Sequence, residues 1–148
     1  MTSAPVLLDC AALSDMALEE ERGPSSVTRA MLRMAWEQGR EVFVPAVVCA
    51  EVCRGQSRTR AVESLLARHD SKREQKSPIR VVDTTFSLAR LVGAVLYAGS
   101  AGSRDLVDAH LVAICIEKGG GIVLTSDPGD IERLSAPFLG VRIVVRKI

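Results

Sequence analysis

The sequence has 148 residues, of which 47% are hydrophobic, and this is enough apolar material for one folded domain and argues against a disordered chain. Aromatic residues make up only 3%, so aliphatic side chains must build the core, and stacking of bases on aromatic platforms is excluded as a main mode of nucleic-acid binding. The net charge is +1, from 19 Lys and Arg against 18 Asp and Glu, so the total charge demands no polyanionic partner.

The first half of the chain alternates between short apolar runs and helical patterns. In chain order, the predicted elements are a strand at 6–8, a helix at 11–21 that ends near Gly23-Pro24, a helix from Ser25 or Ser26 to Gly39, a strand at 42–44, a helix from Pro45 to about Arg54, and a helix at 57–68. The apolar positions of the second helix have helical spacing; they are Val27, Ala30, Met31, Met34 and Ala35.

The second half continues the alternation after a polar loop. In chain order, the predicted elements are the loop 70–78, a strand at 79–82, a helix at 84–98, a turn at 99–103, a helix at 105–118 that stops at Gly119-Gly120-Gly121, a strand at 122–124, a helix at 130–134 and a strand at 141–145. Short apolar strands that alternate with helices predict an α/β fold with a mainly parallel sheet of about five strands, covered on both faces. We expect one domain over residues 1–148.

The cysteines and the N-terminus indicate a reducing compartment. Cys10, Cys49, Cys53 and Cys115 form no CxxC pair and lie in apolar stretches, which favours buried thiols over a zinc fragment at Cys49 and Cys53. The N-terminus lacks the basic and long apolar regions of a signal peptide, and no stretch approaches a membrane span. We therefore predict a cytoplasmic protein without membrane association.

A basic segment covers residues 54–80. It contains eight Lys and Arg residues against Glu63, Asp70 and Glu74 in a chain that is otherwise nearly neutral. A solvated helix face and a phosphate-binding flank explain this excess about equally well. Within the segment, Arg54 and Arg58 are the candidates for RNA-backbone contacts.

Several carboxylates follow predicted strands at the edge where parallel sheets form their sites. Asp9 ends the first strand and Asp127 follows the fourth, while Glu51, Asp105 and Asp108 lie in early turns of helices. Clustered carboxylates repel one another and require a divalent cation or protons, and an all-oxygen site suits Mg²⁺ or Mn²⁺. Such an ion can activate water for attack on a phosphate.

Each carboxylate also has a structural interpretation. Asp105 fits the first turn of a helix, and Asp127-Pro128-Gly129-Asp130 reads as a helix cap followed by an N1 proline. Glu51 and Asp108 are harder to explain in this way, because both interrupt apolar runs in which a buried charge would cost several kcal/mol.

Four segments resemble the PIN-domain proteins, and most closely the VapC toxins of type II toxin–antitoxin operons. In order, they are VLLDCAAL, VPAVVCAEVCRG, DLVDAHLVA and IVLTSDPGDIERL. The resemblance covers nearly the whole chain and implies a three-layer α/β/α PIN fold, Mg²⁺-dependent endoribonuclease activity with Mn²⁺ as a substitute, and inhibition by a VapB-type antitoxin. We also expect a homodimer; the apolar early helices fit a second copy, an antitoxin or core packing equally well.

By motif position, the resemblance implies four catalytic carboxylates, which are Asp9, Glu51, Asp108 and Asp127. Asp9, Asp108 and Asp127 are the implied metal ligands, and Thr125 matches a hydroxyl residue that orients the cluster. Asp105 and Asp130 are supporting candidates, and Asp105 competes with Asp108 for the place of third ligand.

Two other interpretations of the sequence remain open. One is a non-catalytic PIN-like binding module in which the same acids are caps and buried hydrogen-bonding groups. The other is a metal-dependent nuclease or phosphodiesterase without a toxin role. His69 is expected to be solvated in the polar loop, and His110 is interpreted as a structural histidine rather than a proton carrier.

Overall fold

Five parallel strands form one twisted sheet in the computed structural model, which describes residues 3–18 and 26–148. They are β1 (Val6–Leu8), β2 (Val42–Pro45), β3 (Arg80–Val82), β4 (Gly121–Thr125) and β5 (Ile143–Lys147). The strand order is β3-β2-β1-β4-β5, with β1 at the centre, where Val6 pairs with Val42 on one side and Ile122 on the other. The carboxyl ends of β1 and β4 therefore lie side by side.

Helices cover both faces of the sheet, as the strand and helix pattern predicts. They are α1 (Cys10–Ala17), α2 (Val27–Glu37), α3 (Ala46–Val52), α4 (Gln56–Arg68), α5 (Phe86–Ala98), α6 (Leu106–Glu117) and α7 (Pro128–Ser135). Two 3₁₀ turns, Ser71–Arg73 and Ser103–Asp105, precede β3 and α6 respectively. The result is the three-layer α/β/α arrangement of the predicted fold class.

The core divides into two clusters because successive strand residues point to opposite faces. Val6 and Leu8 of β1 pack with α1, α2, α3 and α4, whereas Leu7 packs with α5, α6 and α7. All three side chains are at most 3% exposed. Each contributes roughly 1.5–3 kcal/mol by leaving water, which explains why β1 can be short and still anchor the sheet.

The buried face of α2 differs from the predicted one. Thr28, Leu32 and Ala35 are buried, whereas Val27 and Met34 are 56% and 57% exposed. Thr28 can be buried because its hydroxyl donates to Asp15 Oδ2 at 2.9 Å, which links α2 to α1. The predicted end of the first helix near Gly23-Pro24 and the alternative cap at Ser25 lie outside the described residues; Ser26 caps α2 by accepting from the Arg29 amide at 3.0 Å.

The polar loop is more ordered around His69 than its composition suggests. His69 was predicted to be solvated, but it is half-buried and stacks on Trp36 with ring centroids 5.3 Å apart. Its Nδ1 lies 2.6 Å from the Ser77 carbonyl, and Trp36 Nε1 donates to the Pro78 carbonyl at 3.2 Å. These contacts hold the loop against the end of α2.

The thiols are free, as expected from their spacing. Cys115 is buried, and Cys10, Cys49 and Cys53 are half-buried. In the described part of the chain, no helix combines the length and apolar character needed to cross a bilayer.

Candidate metal and nuclease site at the carboxyl edge of the sheet

Asp9 sits where β1 ends and serves as the cap of α1. Its Oδ1 accepts from the Ala12 amide at 2.8 Å, and its Oδ2 accepts from the Ser126 amide at 3.3 Å across the neighbouring strand. Burial raises the pKa of this carboxyl, while hydrogen bonds from Thr125 and backbone amides oppose the rise. The carboxylate is therefore held by an amide of α1 and by an amide of the turn that follows β4.

Thr125 connects Asp9 to Asp127. The Thr125 hydroxyl is a hydrogen-bond partner of Asp9, and its Oγ1 accepts from the Asp127 amide at 3.0 Å. Asp127 occupies the cap position of α7, yet its side chain makes no cap hydrogen bond and is exposed. The predicted cap position of Asp127 is thus confirmed, with Pro128 at the start of α7, but its carboxylate does not serve as the cap.

Asp108 lies in the first turn of α6, half-buried and facing other acids. Burial raises the pKa of its carboxyl to about 6, and the carboxylates of Asp130, Asp9, Asp105 and Asp127 add to the rise. Among the described residues, none of the ion pairs includes Asp108. Negative charge therefore accumulates at this side chain without a protein cation to offset it.

Glu51 is at the rim of the cluster rather than inside it. Its side chain is 47% exposed and accepts a hydrogen bond from Arg54 Nη2 at 2.7 Å. The expectation that Glu51 is buried in an apolar run is wrong, because α3 turns Val48 and Val52 inward and leaves Glu51 on the solvent side. Its charge, after burial and Asp9, raises the pKa of the Cys10 thiol, so Glu51 lies near the same edge.

Asp105 and Asp130 share one cation. Arg133 Nη2 donates to Asp105 Oδ1 at 2.8 Å and to Asp130 Oδ1 at 3.3 Å. Asp105 lies at the start of α6, as predicted, but its buried side chain makes no cap hydrogen bond and pairs with Arg133 instead. Arg133 was not predicted as a site residue from the sequence. Its i, i+3 spacing from Asp130 on α7 is nevertheless a pattern that indicates an ion pair.

A polar recess adjoins the acidic edge. It is lined by Cys10, Ala11, Ser14, Glu51, Val52, Arg54 and Arg58. Two guanidinium groups therefore flank the carboxylates on the α3 and α4 side. Arg80, at the end of the basic segment, lies elsewhere: it pairs at 2.7 Å with Glu41, which precedes β2, on the opposite edge of the sheet.

The donor set fits a hard divalent cation by its chemistry. The groups that face Asp108 are carboxylate oxygens, which Mg²⁺ and Mn²⁺ prefer. Within residues 3–18 and 26–148, no three acidic, histidine or cysteine side chains are grouped closely enough to hold an ion in their present positions. Binding therefore requires side-chain rotation, for which the exposed Asp127 has room.

His110 occupies a structural position on α6. It is 4% exposed, and its Nδ1 lies 2.7 Å from the Leu106 carbonyl one turn earlier on the helix. Nε2 is buried without a partner among the described residues. The ring is thus held by its own helix.

Comparison with known proteins supports the family rather than a specific activity. The sequence model of the PIN domain matches residues 6–136. None of the curated proteins is similar enough in sequence to count as a match.

Three solved structures have similar folds. VapBC2 from Rickettsia felis, bound to a DNA fragment from its promoter, is 12% identical with a TM-score of 0.63 and covers 97% of this chain and 98% of its own. FitAB bound to an IR36 DNA fragment is 14% identical with a TM-score of 0.55, covering 95% and 94%. FitAcB from Neisseria gonorrhoeae is 16% identical with a TM-score of 0.51, covering 94% and 96%.

Proposed function

The chain belongs to the PIN-domain family, and from this premise we propose that it is a Mg²⁺-dependent endoribonuclease and the toxin of a type II toxin–antitoxin pair. The single observation that carries the nuclease proposal is Asp108, a half-buried carboxylate on which the charges of four other aspartates act and which forms no ion pair among the described residues. A divalent cation is the ligand that such a group of oxygens accommodates best.

Asp9, Asp108 and Asp127 are the proposed ligands of the ion. Asp9 is held by backbone amides of two elements, Asp108 by the first turn of α6, and Asp127 by the turn after β4. Thr125 positions the first and third of these through its hydroxyl. When bound, Mg²⁺ supplies a water of lowered pKa and stabilises the charge that develops on a phosphate.

Glu51, Arg54 and Arg58 are proposed to act on the substrate side. Glu51 is exposed beside the acidic edge, where its carboxylate can accept the proton of the attacking water. Arg54 and Arg58 line the adjacent recess and can bind the phosphates that flank the cleaved bond. Asp105 and Asp130 support the site through Arg133 rather than as ligands.

The proposed protein partners of this chain are supported by the structures with similar folds and by its exposed apolar side chains. The VapBC2 and FitAB structures support a VapB-type antitoxin as the protein partner of this chain. Exposed apolar side chains support protein contacts, including a homodimer; they include Met34, Phe86, Tyr97 and Leu139. We further propose one domain over residues 1–148 and action in the cytoplasm, where RNA is the substrate.

The activity is tested by RNA cleavage with Asp9→Asn and Asp108→Asn proteins in Mg²⁺. Asparagine is also a good helix cap, so Asp9→Asn removes the charge while α1 keeps its cap. We expect cleavage to fall by about 100-fold or more in both variants, and to stop in excess EDTA. Glu37→Gln, an exposed acid at the opposite edge, is the matched control and should cleave normally. Unchanged cleavage by the two aspartate variants would contradict the proposal.

A non-catalytic binding module is the second candidate. It is favoured by the structural roles of Asp9 as a cap and of Asp105 and Asp130 as partners of Arg133. Calorimetric titration with Mn²⁺ separates the two functions, because a binding module should take up no ion at this edge. A nuclease without a toxin role is separated by expression, since only a toxin arrests growth that its antitoxin restores.

A further inference from the structure

Arg133 contacts two carboxylates that come from different elements. Its Nη2 lies 2.8 Å from Asp105 Oδ1, in the turn before α6, and 3.3 Å from Asp130 Oδ1, on α7. The Asp105 side chain is only 10% exposed, whereas the Arg133 side chain is 45% exposed. Arg133 thus links Asp105 to Asp130 from the solvent side, and its positive charge offsets the negative charge of the buried Asp105.

The five aspartates of the sheet edge therefore fall into two groups. Asp105 and Asp130 each accept a hydrogen bond from the Arg133 guanidinium, and a carboxylate engaged in this way is less available to a metal. Asp9, Asp108 and Asp127 form no ion pair among the described residues. Arg133 of α7 therefore separates the paired aspartates from the unpaired ones.

We propose that Arg133 is a positioning residue that keeps Asp105 and Asp130 away from the ion, and so limits the site to Asp9, Asp108 and Asp127 with a single bound cation. The inference rests on the proposed function, since it concerns the same metal site. It assigns Asp108, not Asp105, as the third ligand. Without Arg133, no guanidinium offsets the charges of Asp105 and Asp130, and the site attracts cations more strongly.

The test is calorimetric titration of the full chain with Mn²⁺. Wild type should bind one ion, and Arg133→Met should bind either a second ion or the first about tenfold more tightly, because a positive charge is lost a few ångströms away. Arg80→Met is the matched control, since Arg80 makes a similarly exposed pair with Glu41 at 2.7 Å on the opposite edge. An Arg133→Met titration identical to that of Arg80→Met overturns the inference.

The double variant Asp105→Asn/Arg133→Met gives an independent answer, because it removes the buried Asp105 charge together with its Arg133 partner. Its site has the same net charge as wild type, so Mn²⁺ affinity should return to within about threefold of wild type if Asp105 is not a ligand. A loss of about tenfold or more would identify Asp105 as a ligand and overturn the inference. If Arg133→Met does not fold by circular dichroism, this variant decides alone.

The outcomes also separate this inference from the proposed function. If wild type binds one ion and Arg133→Met behaves identically, the inference fails and the proposed function stands. If wild type binds no ion but Arg133→Met binds one, the single-ion site inferred for wild type and the proposed metal-dependent function are both overturned. If neither protein binds an ion, both are overturned.

Discussion

Asp108 is the residue whose pKa reflects both burial and the charges of the other aspartates at the carboxyl edge. Its pKa is raised to about 6 by burial first and by four neighbouring carboxylates second. In the unfolded chain the same group has a pKa near 3.9. Above pH 6 the ionised Asp108 carboxylate therefore lowers the free energy of unfolding. This destabilisation decreases as the pH falls from 6 toward 4, because the folded protein takes up a proton at Asp108.

We expect Asp108→Asn to raise the free energy of unfolding of the ion-free protein at pH 7.5. The gain should be about 1–2 kcal/mol, which is less than the full pKa shift would give because the side chain is only half-buried. The difference between variant and wild type should shrink as pH falls from 6 and vanish near pH 4. Urea denaturation in EDTA across this range measures it, and a difference that is constant with pH would contradict the assignment.

The helix α6 is the element that joins the core to the site. Seven consecutive residues, 109–115, are buried, because α6 packs against the sheet with α5 and α7 on its other sides. Its C-terminal end meets β4 closely: a Cβ added at Gly121 would lie 2.6 Å from Cys115 Sγ and 3.1 Å from Leu7 Cδ1. The glycine run predicted as a helix stop therefore also permits close packing, and that packing fixes the depth at which α6 presents Asp108.

We expect Gly121→Ala to destabilise the protein by about 1–3 kcal/mol, since the new methyl group overlaps atoms of the core. Gly93→Ala is the matched control. Gly93 is exposed within α5 and has nothing within 4 Å of the added Cβ, so this change should stabilise by about 0.5–1 kcal/mol. Urea denaturation compares the two. Adding Cys115→Ala to Gly121→Ala should recover part of the loss, and no recovery would mean that Leu7 alone is responsible.

On the scale of the whole molecule, the two edges of the sheet carry different charges. The carboxyl edge combines the acidic cluster with Arg54 and Arg58 in the adjacent recess. The amino edge carries Arg80 at the start of β3, where it pairs with Glu41. Arg54 and Arg58, at the start of the basic segment 54–80, thus lie beside the acidic cluster, whereas Arg80 at its end lies at the amino edge.

We expect Arg54→Ala/Arg58→Ala to weaken RNA binding and to lower the slope of log affinity against log salt by about 1–1.5, as two phosphate contacts are lost. Lys72→Glu/Lys76→Glu, in the loop that leads to the opposite edge, should leave the slope nearly unchanged. Fluorescence anisotropy with labelled RNA, in an Asp9→Asn background that prevents cleavage, measures both. Equal slopes for the two double variants would contradict the division.

The sequence by itself determined the order of the elements, the parallel sheet and the set of acids at its carboxyl edge. These follow from local periodicity and from the rule that strands of a parallel sheet end at one edge. Asp9 and Asp127 could be located in this way because Asp9 follows β1 directly and Asp127 follows β4 after Ser126. Thr125 came from the family resemblance, and its bond to the Asp127 amide agrees with that expectation.

Only the tertiary structure decided which of the acids form cap hydrogen bonds or ion pairs and which do not. Asp9 and Asp127 both occupy cap positions, but only the Asp9 side chain makes the cap hydrogen bond, and Glu51 is exposed although it interrupts an apolar run. The pair between Arg133 and Asp105 joins residues 28 positions apart, and the link from Asp9 to the Ser126 amide spans 117. Such contacts depend on how α6, α7 and β4 pack together, and no local pattern encodes the distance between two side chains on different elements.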